Sequence, residues 1–180
     1  LQYWFCEPFT TERPINFHTE KAGTIVWQDD DCLVLATIDY DVVLYFDQFD
    51  AVLAACQSGD AQRLKAVPGL RHYVNEKEAH GWTPLVVAVY HGFYDLAMFL
   101  IANGADIHAR NNNGTNLLMY AKDAFVKNGD SRLFKFFFDK GLSLDSVDYE
   151  YKSLKDYCAE QKITRIGDRV ICNGGGTTVE

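Results

Sequence analysis

Residues 81–111 read GWTPLVVAVYHGFYDLAMFLIANGADIHARN, and the spacing of small and apolar residues in this stretch decides the fold. Thr83 stands directly before Pro84. A threonine hydroxyl accepts from the unpaired N–H groups of a helix start, and proline fits the first helical turn, where its missing donor costs nothing. The spacing predicts a helix opening at Pro84. Leu85 and Ala88 recur three apart and share its inward face, with Ala88 small enough for close helix approach. Gly92 ends that helix, because glycine accepts the left-handed backbone of a helix stop. Leu96, Phe99 and Leu100 are expected to form the buried stripe of a second helix, which Gly104 stops in turn. Such a pair of short helices cannot bury its faces alone and needs neighbours of the same design.

Shifting the sequence by 33 residues finds those neighbours. Upstream, Gly92 falls on Gly59, Ala88 on Ala55, and Ile107-His108 on Val74-Asn75. Downstream, Gly81 falls on Gly114, Leu85 on Leu118, and Ala88 on Ala121. After a four-residue insertion around Lys127 to Asp130, Gly104 falls on Gly141 and Ile107 on Leu144. A last half-unit runs from Tyr151 to Cys158. Residues 81–111 closely resemble one ankyrin repeat, whose pattern is G-x-T-P-L-H-x-A-x-x-x-G, then a second helix ending L-L-x-x-G-A-D-V-N. The resemblance covers about residues 49–163 and implies a mainly α solenoid of three to four repeats. Val86 stands where the family pattern has histidine. The first repeat lacks the Gly-x-Thr-Pro opening and carries Phe49-Asp50-Ala51-Val52-Leu53, as an entry repeat with a different outer face should.

The flanks read differently. Residues 1–48 contain Thr24–Gln28 and Cys32–Ile38, rich in β-branched and aromatic residues and separated by Asp29, Asp30 and Asp31, which predicts a β-hairpin. Val42 to Phe46 reads equally as a third strand or the lead-in to the first helix. The segment with Pro8 and Pro14 reads as irregular. This β-containing piece is expected to cap the stack at its N-terminal end. Residues 164–180 read as a C-terminal extension ending in a flexible glycine-rich tail, Asn173 to Thr178. The chain begins at Leu1, so the native N-terminus is expected to have been removed. A cytoplasmic location is expected, with periplasmic or secreted ones left open.

With 25 acidic and 17 basic residues the net charge is −8. Nucleic-acid affinity comes chiefly from Lys and Arg displacing counterions, so an acidic chain argues against that class of partner and favours a basic protein. No apolar run approaches the length of a membrane span. Among the five cysteines, Cys56 and Cys158 fall at small-residue slots of first helices and read as core thiols. A disulfide among Cys6, Cys32 and Cys172 would need an oxidising compartment.

No catalytic motif, phosphate loop or metal-ligand spacing stands out. The Asp29–Asp31 run suits a solvated turn, and His80, His91 and His108 lack a Cys or acidic partner at ligand spacing. No cofactor or metal is expected. The resemblance implies instead a concave groove lined by turn tips and exposed first-helix positions. Mapping by repeat position places Ala79, His80, Trp82, Tyr90 and His91 there from the central repeat. Asn112, Asn113, Thr115 and Asp123 follow from the next, then Asp148, Tyr149 and Tyr151 from the last. Trp and Tyr bury much area with few rotors and keep a polar handle, which suits them to binding; Trp82 folding back onto a neighbouring turn is the rival reading. The insertion at Lys127–Asp130 is expected to lengthen an inter-helix loop.

The function expected is non-catalytic binding of another protein by a monomer, as an inhibitor or an immunity protein that neutralises a toxin or effector. The alternatives are an enzyme with its site in the N-terminal piece and repeats that recruit substrate, or a fragment of a larger ankyrin scaffold.

Overall fold

The computed structural model describes residues 48–171, with the backbone alone at 170, and four earlier strands as backbone. It is mainly helical. Helices α1 (Phe49–Ser58), α2 (Ala61–Lys65) and α3 (Leu70–Tyr73) form the first unit, and α4 (Pro84–His91) with α5 (Tyr94–Ala102) the second. The third pairs α6 (Leu117–Asn128) with α7 (Arg132–Asp139), and α8 (Leu154–Glu160) opens a fourth. First helices stack on first helices, α1 on α4 and α4 on α6.

A capping side chain recurs at the starts of α4, α6 and α8. Thr83 accepts from the Val86 N–H at 3.3 Å, Asn116 from Met119 at 3.0 Å, and Ser153 from Asp156 at 3.2 Å. Each such cap stabilises its helix by about 1 kcal/mol. Between the helices runs one continuous core. It includes Val52, Ala55, Leu64, Leu85, Ala88, Leu96, Leu100, Leu118, Ala121, Phe134, Phe137 and Leu154. Burying each of the larger of these is worth roughly 1.5–3 kcal/mol. Phe99, expected in the buried stripe of α5, is only half-buried; Leu96, Ala97 and Leu100 are the buried residues of that helix. Cys56 and Cys158 are fully buried in the same core.

The four-residue insertion does not lengthen a loop. Helix α6 has 12 residues against eight in α4, and Gly92 and Gly129 end them alike with φ of 80° and 76°. Four residues are close to one helical turn, so the insertion extends α6 without rotating its buried face.

The segment expected as a C-terminal extension begins with a paired element. Strands β5 (Arg165–Ile166) and β6 (Arg169–Val170) form a small hairpin. Ile166 and Ile171 are buried, and Arg169 pairs with Asp139 of α7 and lies 4.0 Å from the Phe138 ring centre. The hairpin stands where the second helix of a fourth unit would be. The tail Asn173–Thr178 lies outside the described residues.

Before the stack, β1 (Tyr3–Pro8), β2 (Ile25–Gln28), β3 (Cys32–Leu35) and β4 (Val42–Phe46) pair antiparallel in the order β1-β4-β3-β2. Tyr3–Pro8, read as irregular, is thus a strand, and Val42–Phe46 is a strand rather than a helix lead-in. Asp29, Asp30 and Asp31 lie outside the described residues. So do Cys172 and the side chains of Cys6 and Cys32.

Candidate functional site

The turns that precede α4, α6 and α8 are built to one plan. Glu78, Asn111 and Asp148 open them, and each side-chain oxygen accepts from the backbone N–H groups two and four residues on. The pairs are His80 and Trp82 at 2.9 and 3.1 Å, Asn113 and Thr115 at 3.0 and 2.9 Å, and Glu150 and Lys152 at 2.9 and 3.1 Å. The backbone N–H groups of Gly81, Gly114 and Tyr151 close the turns onto the same residues' carbonyls. Successive turns are joined as well: Asn112 N–H donates to His80 O at 3.1 Å, and Tyr149 N–H to Asn113 O at 2.9 Å. Arg110 clamps the third turn to the second by donating to Gly114 O and Val147 O. The result is a row of three rigid fingers beside the first helices.

Gly81 and Gly114 are required there for two reasons. Both have positive φ, 81° and 77°. A Cβ on Gly81 would also lie 2.6 Å from the Asn112 nitrogen, and one on Gly114 2.7 Å from the Tyr149 ring. Each glycine is therefore the seat of the next finger.

Fingers and first helices enclose a cleft of about 660 Å³. Of the residues expected in the groove, His80, Trp82, Asn112, Asn113, Thr115 and Asp123 line it. Tyr90 lines an adjoining cleft of about 440 Å³, which shares Asp123 and Gln161 with the first. The added turn of α6 contributes Val126 and Lys127 to that second cleft, with Lys127 Nζ 3.3 Å from the Tyr90 ring centre.

Trp82 satisfies both readings made of it. Its ring packs edge-to-face on Tyr90 and Tyr120, each with centroids 5.1 Å apart, yet it stays half-exposed in the cleft wall. Such pairs add about 0.5–1.5 kcal/mol each beyond area burial. The ring is structure on one side and surface on the other.

Five expected residues fall elsewhere. Ala79 is exposed and lines neither cleft; its carbonyl accepts from Asn112 Nδ2 at 2.9 Å. His91 is exposed at the surface and stacks on Phe93; partial desolvation of its ring, then the nearby Lys127, holds its pKa below the ordinary histidine value. Asp148 is 5 % exposed, because its carboxylate is consumed in holding the last finger. Tyr149 and Tyr151 stand on that finger, away from both clefts, 69 % and 86 % exposed.

The cleft floor was not foreseen. Tyr120 accepts from Asn111 Nδ2 at 2.7 Å, and burial pushes its phenol up to about 12. Lys122 is buried, bonded to Asp123 and, at 3.1 Å, to Gln161 Oε1, and lies 5.7 Å from the Tyr157 ring centre. This lysine fixes Asp123 at the junction of the two clefts. A signal did exist: with the insertion counted, Tyr120 and Tyr157 occupy the same repeat position, as do Asn111 and Asp148.

Chemically this surface offers aromatic edges, amides and one positioned carboxylate. Among the described residues no group of three or more His, Cys, Asp or Glu gathers to hold a metal. None of their helices is long and apolar enough to cross a membrane.

Stacked helix pairs joined by a row of fingers define a repeat scaffold of the ankyrin type. The chain belongs to the ankyrin repeat family, whose three-copy pattern matches residues 51–148. It is similar to protein phosphatase 1 regulatory subunit 27 of human and of mouse, 34% identical to each over 64 residues. That match covers 36% of this chain and 42% of each relative. Ankyrin repeats are a protein-interaction scaffold.

Proposed function

We propose that this chain is a non-catalytic binding protein that holds its partner in the paired clefts around Asp123. The observation that carries the reading is the partly exposed Trp82–Tyr90 pair, backed by the buried Tyr120 ring, beside a carboxylate that a buried lysine holds in place. Preformed aromatic walls cost little entropy to engage, and a fixed charge supplies direction. The relatives' name, a regulatory subunit of a phosphatase, supports a role that modulates another protein rather than one that performs chemistry.

Within that role we favour an inhibitor, of which an immunity protein against a toxin or effector is the narrowest form. The net charge of −8 favours a basic partner by raising the encounter rate. The four N-terminal strands serve, on this reading, as the cap that closes the first repeat.

The test is co-purification from the source cell, followed by binding measurements on Trp82→Ala and Tyr90→Ala. At least one variant should lose about 2 kcal/mol of affinity or more if these rings are anchors. A thermal melt of each variant separates lost contact from lost fold. Unchanged affinity in both would move the interface off the groove.

A further inference from the structure

We propose that the outer edge of the last finger is a second docking surface, formed by Val147, Tyr149 and Tyr151 around the Glu150 carboxylate, and that it takes an arginine-bearing extended segment of a partner protein. Four observations converge on this edge, none of which depends on the groove.

Exposure comes first. Val147, Tyr149 and Tyr151 are 42 %, 69 % and 86 % exposed, and among the described residues Val126 alone joins them as an exposed large apolar side chain. Three of four within five residues is a patch, not scatter.

The second observation is strain. Tyr151 has φ of 61°, in the slot that Gly81 and Gly114 fill in the two earlier fingers. A left-handed backbone is unfavourable for a bulky residue. Among the described residues no further finger sits on Tyr151, so its Cβ is sterically tolerated, but almost nothing among them repays the conformation of a ring this exposed. Uncompensated strain of this kind points to use of the ring outside the fold.

Third, the finger row has an open end. His80 O and Asn113 O each accept the N–H of the next finger, and Glu150 O is third in that series. Among the described residues it accepts none. An extended segment can place an N–H on it.

The fourth is charge. Lys152 is engaged by Glu160, Lys155 by Asp145, and the Arg110 guanidinium by Ser146 and two carbonyls. Glu150 makes no ion pair among the described residues. What the edge offers is therefore two phenol rings and a carboxylate. A guanidinium answers both, stacking on a ring while its planar fork meets the carboxylate; an ammonium is compact, strongly hydrated and lacks that fork. A second copy of this chain is a poor occupant, since each carries a charge of −8.

The experiment titrates the protein with a short capped peptide of alternating arginine and alanine, followed by NMR of the backbone amides. Matched lysine–alanine and glutamate–alanine peptides are the controls. The arginine peptide should shift residues 147–151 and bind about fivefold tighter than the lysine peptide, the size of one exposed cation–π contact. The glutamate peptide should shift nothing there. Tyr151→Gly installs the residue the earlier fingers use, so it should raise the melting temperature while weakening the arginine peptide about fivefold. Glu150→Gln should weaken it without changing the melt. The proposal fails if arginine and lysine peptides bind alike, if Tyr151→Gly leaves binding unchanged, or if the shifts fall around Trp82 and Asp123. That last outcome would leave the groove reading standing and remove this one alone.

Discussion

The Tyr157 hydroxyl donates a hydrogen bond to Oδ2 of Asp148, tying the first helix of the fourth unit to the finger that precedes it. One unit earlier Asn111 and Tyr120 make the same tie at 2.7 Å with the direction reversed, the amide donating to the phenol oxygen. The two pairs hold equivalent fingers, but only one of them carries a charge. That charge makes the last finger sensitive to pH where its neighbour is not.

Burial alone would raise the Asp148 carboxyl, but bonds from Tyr157 and from the N–H groups of Lys152 and Glu150 hold it below the usual carboxylate range. A carboxyl depressed in the folded state adds stability above its unfolded pKa, and that stability is lost as pH falls below about 4. Asp148→Asn should keep the finger, since Asn111 shows that an amide can serve. Melting temperatures followed from neutral pH down to about 3 should fall less steeply for the variant than for wild type. Glu78, Asp130 and Asp156, also held below their ordinary values, remain, so the slope is reduced and not abolished. Identical slopes would show that Asp148 does not carry the effect.

Two substitutions at one repeat position should act in opposite directions. Gly114→Ala forces a Cβ into a left-handed backbone and against the Tyr149 ring. It should cost about 2 kcal/mol, because the exposed ring can swing aside but the backbone cannot. Tyr151→Gly relieves the same conformation and should stabilise by roughly 0.5–1 kcal/mol, part of the gain being offset by the freer unfolded glycine. Urea denaturation of both variants checks the pair; equal signs would refute the register of the fingers.

Cys56 is fully buried, and burial pushes its thiol up to about 12. Thiolate is the reactive form, so this residue should resist an aromatic disulfide reagent in the native protein and react once urea unfolds it. Peptide mapping of the labelled chain distinguishes Cys56 and the equally buried Cys158 from the other cysteines. Native labelling of Cys56 on the time scale of an exposed thiol would contradict the stacking of α1 on α4. Cys56→Leu should destabilise by about 1–3 kcal/mol, because the slot is filled.

The two helices of the central repeat could be read from Thr83, Pro84, Gly92 and Gly104, since caps and stops act through their own backbone. The finger row was only half legible. Gly81 and Gly114 announced it, but Asp148 looked like a displayed carboxylate because a sequence does not say whether an acceptor is used from within. Lys122 stayed unnoticed for the converse reason: a charge that follows an apolar run reads as solvated until a neighbour buries it. The insertion at Lys127–Asp130 contains Gly129, and glycine marks a loop and a helix stop alike.

By itself the sequence determined the repeating unit, because helix caps, glycine stops and small-residue contacts are local and recur at a fixed interval. The tertiary structure alone decided which of the nominated residues share a cleft, where the added helical turn reaches, and that the last finger ends on a strained tyrosine. Most of those are relations between neighbouring units, about one repeat apart along the chain, and they exist only once the units have stacked and each finger has found its seat on the one before.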